Sequence, residues 1–223
     1  MVGRGEILER MTTIAARQGP LEALWQGGGV HSVHDVPVLL CPPHPALGGS
    51  MDSPVLADLV WMLGRRRHPT LRFNYGGVGA SHGVCDVPEL PATQPVDLSA
   101  LVDDAAAALL HLLHSTGAER CYVVGLSVGA LVAAQLSAHE AVEKLALIAP
   151  PIDVGVIDPL RLTESGVQWR CYVGGDDVFS PAHRLQIPGL VVIPHANHTF
   201  SRGLQALCRE VSDDLTPALA ADE

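Results

Sequence analysis

Short strand-type runs of apolar residues alternate along this chain with longer segments in which apolar positions recur every three or four residues. Val36 to Cys41 is apolar throughout, the pattern of a strand covered on both faces. Thr70 to Asn74, Cys121 to Val124, Val142 to Ala149, Val167 to Val173 and Gly189 to Ile193 supply further strands. Between them, Ser53 to Arg65 places Val55, Leu56, Leu59, Val60 and Leu63 on one helical side, and Asp97 to Ser115 reads as a second helix. A closing helix is predicted over Phe200 to Leu215, with Phe200, Leu204, Leu207, Val211 and Leu215 at helical intervals. Near the N-terminus, Met11 to Ala16 and Leu21 to Gln26 flank the turn residues Gln18-Gly19-Pro20 and predict an edge hairpin. Loops are expected over 27–35, 80–95 and 150–166, the last with one helical turn near Leu160.

Strands alternating with helices imply βαβ units, hence a mostly parallel central sheet with helices on both faces. No internal repeat, low-complexity tract or linker interrupts the pattern, so residues 1–223 are expected to form a single α/β domain. In such sheets chemistry collects in loops beyond the carboxyl ends of the strands.

One strand-to-helix junction stands out: Cys121 to Val124, then Gly125-Leu126-Ser127-Val128-Gly129, then a helix with Leu131, Val132 and Leu136 on one face. A serine on so sharp a turn needs glycine two residues to either side, because side chains there would clash as the chain reverses. The turn would expose Ser127 Oγ and leave the Val128 N–H at a helix N-terminus, able to stabilise a developing negative charge.

A serine hydroxyl becomes a useful nucleophile only when a base removes its proton and a third group orients that base. The acid nearest a strand end lies in Gly174-Gly175-Asp176-Asp177. Asp177 is preferred over Asp176 because the stretch reads G-x-x-D-x-x-x-P through Pro181. The base lies in Pro194-His195-Ala196-Asn197-His198. His198 is preferred over His195 because the base must curl back over the sheet edge. A second oxyanion donor is expected from Cys41-Pro42-Pro43-His44-Pro45-Ala46. Prolines have no N–H, so only His44 and Ala46 can donate, and the His44 backbone is the candidate. Leu47, Met51, Val156 and Ile157 are candidates to line an acyl slot.

Net charge is −10 with no basic run, which argues against nucleic acid and anionic membrane as partners. Glu6, Glu9 and Arg10 stand where a signal peptide needs an apolar core, and no apolar run reaches membrane-spanning length, so a cytoplasmic protein is expected. The five cysteines fall at no zinc or redox spacing, and Cys41, Cys121 and Cys171 in apolar runs read as buried reduced thiols. His111 and His114 are three apart on a helix but lack companion ligands, so no metal is expected. Gly76-Gly77-Val78-Gly79 follows a strand, but a proline-containing loop replaces the helix that a dinucleotide site requires, so no cofactor is expected.

Three pieces, CPPHPALGGSMDS, LRFNYGGVGASHG and VVGLSVGA, resemble the α/β-hydrolase superfamily, in particular its short bacterial members without a lid domain. Such relatives typically carry His-Pro-His-Pro in the first piece and Arg-Phe-Asn-Phe-Arg-Gly-Val-Gly in the second. Here Pro42 replaces the first histidine and Gly77 the arginine, so their substrate preference does not carry over. The resemblance implies Ser127 as nucleophile, Asp177 as orienting acid and His198 as base. Dienelactone hydrolases look similar in size but use cysteine at the elbow, where this chain has Ser127. The expected function is a serine hydrolase that cleaves a small carboxylic ester or thioester through an acyl-enzyme. The alternatives are acyl transfer to an acceptor other than water, or a non-catalytic α/β module that binds a small molecule or protein partner.

Overall fold

The structure, a computed structural model, describes residues 9–27, 36–85 and 96–216. Much of the predicted 27–35 and 80–95 loops therefore lies outside the described residues. Eight strands form one sheet: β1 (Glu9–Ala16), β2 (Gly19–Gln26), β3 (Val38–Cys41), β4 (Thr70–Phe73), β5 (Cys121–Leu126), β6 (Val142–Ile148), β7 (Gln168–Gly174) and β8 (Val191–Ile193). Their order is β1-β2-β4-β3-β5-β6-β7-β8. The β1–β2 and β2–β4 pairs are antiparallel and every other pair is parallel. The hairpin is at the edge as expected, but its turn is tighter. Only Arg17 and Gln18 lie between the strands, Gly19 takes φ 121, and Pro20 enters the ladder opposite Ala15.

Among the described residues, five α-helices cover the sheet: α1 (Pro54–Arg65), α2 (Ser99–Thr116), α3 (Val128–Gln135), α4 (Pro159–Glu164) and α5 (Leu204–Leu215). Because β3 is covered on both sides, its residues divide alternately between two cores. Leu39 and Cys41 pack with α2 and α3, while Val38 and Leu40 pack with α1 and α5. Burial pushes the thiols of Cys121, Cys171 and Cys208 up to about 12 and raises Cys41 further, and none of the five cysteines is in a disulfide.

Two helical expectations need correction. The helix after Ser127 is not amphipathic: Val128 to Ala133 are all buried, because α3 is wedged between the sheet and α2. Phe200 is buried but stands outside the closing helix. Phe200 at φ 50 and Gly203 at φ 83 turn the chain first, and α5 begins only at Leu204.

The chain runs from β3 through α1 to β4 on one side, then crosses back through α2 to β5 on the other. The β3–β5 boundary is thus the switch point where two successive loops diverge and leave a crevice. Cys41 and Gly125 are register partners there, so the loop after β3 and the turn after β5 emerge side by side. The approach is close. A Cβ on Gly129 would lie 2.3 Å from the Cys41 carbonyl oxygen and 2.5 Å from that of Pro42, and one on Gly125 would lie 2.1 Å from the Gly129 oxygen. All of these obstacles are backbone, so no rotamer change relieves them. Gly129→Ala should therefore cost roughly 3 kcal/mol or more, read as a drop in unfolding free energy by urea titration. A variant as stable as the parent would contradict this packing.

Candidate active site

Ser127 follows β5 at φ 56, ψ −121, a backbone conformation costly for any residue with a side chain and one found where a scaffold holds a functional group in place. Its N–H donates to the Ile148 carbonyl at 2.7 Å, which ties the turn to the end of β6. Ser127 Oγ lies 3.0 Å from His198 Nε2, and His198 Nδ1 lies 2.8 Å from Asp177 Oδ2. The Asp177 side chain is fully buried, and its other oxygen accepts the N–H groups of Phe179 at 2.8 Å and Ser180 at 3.0 Å. A carboxylate on Nδ1 keeps that nitrogen protonated in the neutral ring, so the Nε2 lone pair faces the serine hydroxyl.

The loops after β7 and β8 carry the acid and the imidazole, and backbone bonds lock them together. Gly175 N–H donates to Ile193 O at 2.9 Å and Asp176 N–H to Ala196 O at 2.9 Å. A Cβ on Gly174 would lie 2.2 Å from that Ala196 oxygen, so only glycine lets the two loops meet. Asp176 and His195, the alternatives in each pair, are both exposed; Asp176 faces Arg202 at 3.7 Å and His195 sits at φ 57.

The loop after β3 also narrows to one donor. Ala46 N–H is committed to His44 Nδ1 at 3.1 Å, while among the described residues the His44 N–H meets no acceptor. The His44 side chain is buried, and burial lowers its pKa by disfavouring the charged ring. Val128 opens α3, and a first-turn N–H has no partner within its own helix.

Ser127, His198 and His44 border a cleft of about 740 Å³ whose apolar wall includes Leu47, Val55, Leu126, Phe179, Phe200 and Leu204. Of the four residues expected in an acyl slot, only Leu47 lines it. Met51 is 3% exposed and held by its backbone, Ile157 belongs to the core, and Val156 borders two other hollows. The 150–166 segment contributes nothing to this cleft. It packs against the acid loop, with Ile152 N–H on Phe179 O at 3.1 Å.

Sequence reasoning missed two contributors. The Phe179 ring rests against the His198 imidazole, centroids 5.0 Å apart. Asn197 Oδ1 accepts from Ser201 N–H at 3.0 Å and Ser201 Oγ at 3.2 Å, closing the turn that carries His198. An asparagine beside a turn is a readable signal for the second; the first has none, because Phe179 reaches the ring through the fold.

Solved structures share this arrangement of strands and helices. A serine α/β-hydrolase homologue from Coxiella burnetii aligns at TM-score 0.76 and 25% identity, over 93% of this chain and 97% of that one. The chain has the α/β-hydrolase fold. A member of the superfamily from Xanthomonas campestris, a serine hydrolase without a lid, aligns at TM-score 0.73 and 22% identity over 95% of this chain and 97% of its own. An esterase of Pyrococcus furiosus aligns at TM-score 0.67 and 16% identity, over 94% and 90% respectively. No protein-family model matches the sequence, and no curated protein matches it.

Burial pushes the Asp177 carboxyl up, but the hydrogen bond and charge of His198 and the N–H groups of Ser180 and Phe179 outweigh it and hold the pKa below 3.8. A carboxylate lowered by folding stabilises the native state above its unfolded pKa and loses that contribution as pH falls through the folded one. The stability gap between wild type and Asp177→Asn should thus be constant above about pH 5 and shrink below 3.8. Urea midpoints measured from pH 3 to 7 test this, and a gap that widens in acid would contradict it.

Proposed function

We propose that this protein is a serine hydrolase of small carboxylic esters or thioesters, acting through Ser127, His198 and Asp177 and an acyl-enzyme. The observation that carries the reading is the unbroken relay from Ser127 Oγ to His198 Nε2 at 3.0 Å and from His198 Nδ1 to Asp177 Oδ2 at 2.8 Å. Three side chains from three loops reach this contact beside a mostly apolar cleft.

In the first step His198 Nε2 takes the Ser127 proton as Oγ bonds to the acyl carbon, and the carbonyl electron pair moves onto oxygen. The Val128 and His44 N–H groups are the donors available to that oxyanion, which favours the tetrahedral state over the flat ester. As the tetrahedral state collapses, the bond to the alcohol or thiol breaks and His198 returns the proton to it. Water then enters, His198 deprotonates it, and the same sequence releases the acid and restores Ser127. Asp177 stays ionised throughout, orienting the ring and stabilising its protonated form.

The likeness to lidless serine hydrolases and to an esterase supports this chemistry without fixing a substrate. Ser127→Ala should lower turnover of p-nitrophenyl esters on the order of 10⁶-fold and abolish labelling by a fluorophosphonate probe. Labelling that persists in Ser127→Ala, or a wild type that neither labels nor turns over any acyl ester or acyl-CoA, overturns the proposal.

A further inference from the structure

The relay makes no use of Arg72-Phe73-Asn74, although this stretch ends the strand beside β3 and opens the second of the superfamily-like pieces. Arg72 and Asn74 are two apart on an extended chain and so project to the same face. Arg72 is only 7% exposed. Its Nε and Nη2 donate to the two oxygens of Glu9 at 2.7 Å each, a fork-on-fork pairing that leaves Nη1 free to turn elsewhere. Nη1 donates to the Met51 carbonyl at 2.6 Å and, more distantly, to Asp52 at 3.5 Å. Asn74 takes the other side of the same residue: its Oδ1 accepts the Met51 N–H at 2.8 Å. The Asn74 amide cannot be reversed, because Nδ2 donates to the Glu22 carboxylate at 2.8 Å. Gly79, at φ 56, has no Cβ to intrude on that pair; one would lie 2.6 Å from Asn74 Nδ2.

One peptide-chain residue is thus gripped at both its N–H and its C=O by side chains from one strand. A buried guanidinium is a costly way to stabilise a loop, since an apolar residue of like volume would serve as well or better. What the planar fork supplies is fixed direction. The direction is passed on through short backbone contacts. Two residues before Met51, Gly49 donates its N–H to His44 O at 3.0 Å, and a Cβ on Gly49 would lie 2.6 Å from the carbonyl oxygens of both Pro43 and His44. These short contacts join the gripped residue's neighbours to the His44 peptide.

We propose that Arg72 and Asn74 are positioning residues: through Met51 they set the 44–51 segment so that the His44 N–H meets the oxyanion formed at Ser127. The proposal rests on the functional reading above and adds to it two residues that touch neither substrate nor relay. Its test compares Asn74→Ala with Ser81→Ala. Ser81 Oγ belongs to the same network, accepting from Glu22 N–H at 2.9 Å and donating to Asn74 O at 2.8 Å, but it does not touch Met51.

In ester hydrolysis, Asn74→Ala should lower kcat by about 10- to 100-fold with KM within about threefold, since misplacing a transition-state donor spares ground-state binding. Inhibition by a trifluoromethyl ketone, whose adduct carries an oxyanion, should weaken by about the same factor as kcat/KM. Ser81→Ala should lower the melting temperature yet keep kcat within about twofold. Arg72→Lys keeps the charge beside Glu9 but cannot span to Met51 as well. It should lower kcat in the same direction and decides the matter if Asn74→Ala does not fold. Full kcat in Asn74→Ala, or in Arg72→Lys where the first does not fold, overturns this inference and leaves the functional reading standing. So does an equal loss in Ser81→Ala. A wild type without Ser127-dependent turnover overturns both.

Discussion

The structure depends on one close passage of backbone past backbone. Where β5 turns into α3, the chain must clear its own next turn at Gly125 and the loop leaving β3 at Gly129, with no room for a side chain at either point. That passage strains Ser127 into a positive φ and brings the loop from a neighbouring strand alongside it. The rest of the sheet can be seen as the anchorage that makes the strain tolerable. Ser127 N–H is tied to β6, α3 is buried all round, and β3 and β5 are covered on both faces. A scaffold less completely packed would let the turn relax.

The same logic of rigid supports governs the other two loops. Asp177 and His198 arise from adjacent strands, β7 and β8, and the loops that carry them share backbone hydrogen bonds, so the carboxylate and the imidazole move as one unit. The carboxylate has a partner for each oxygen and needs no water to satisfy it. On the far side of the elbow, Arg72 of β4 and Asn74 just after it hold Met51 at the end of the 44–51 segment, as these backbone bonds hold the acid loop. Each wall of the cleft is braced by a different kind of contact.

Much of this was legible in the sequence because strand and helix periods announce themselves, and glycine spacing around Ser127 reflects a clash that any sequence with that turn must avoid. The proline-rich segment was equally informative: with Pro42, Pro43 and Pro45 lacking N–H groups, donors were limited to His44 and Ala46, and the Ala46 bond to His44 Nδ1 then separates the two. Local patterns did not reveal contacts made at a distance. Leu131, Val132 and Leu136 were read as one face of an amphipathic helix, but the crowding of α3 from every side is a property of the assembled layers. Phe200 matched the helical interval by coincidence of spacing, and only positive φ values at Phe200 and Gly203 separate it from α5. Val156 and Ile157 are apolar enough to suit an acyl slot, yet their segment folds away from the cleft. Phe179 acts through a contact that no single stretch of sequence contains, whereas Asn197 closes a turn within its own stretch.

The sealed thiols carry a practical corollary. Cys41 and Cys121 sit in β3 and β5, the pair of strands that lead to His44 and Ser127, while Cys85 alone among the five is part-exposed. A disulfide reagent added to the native protein will meet Cys85 first, Cys41 and Cys121 only when β3 and β5 part, and Cys171 and Cys208 only when the packing around β7 and α5 opens. The slow phases of thiol exchange therefore read out the opening of the buried layers around β3, β5, β7 and α5, without any introduced label.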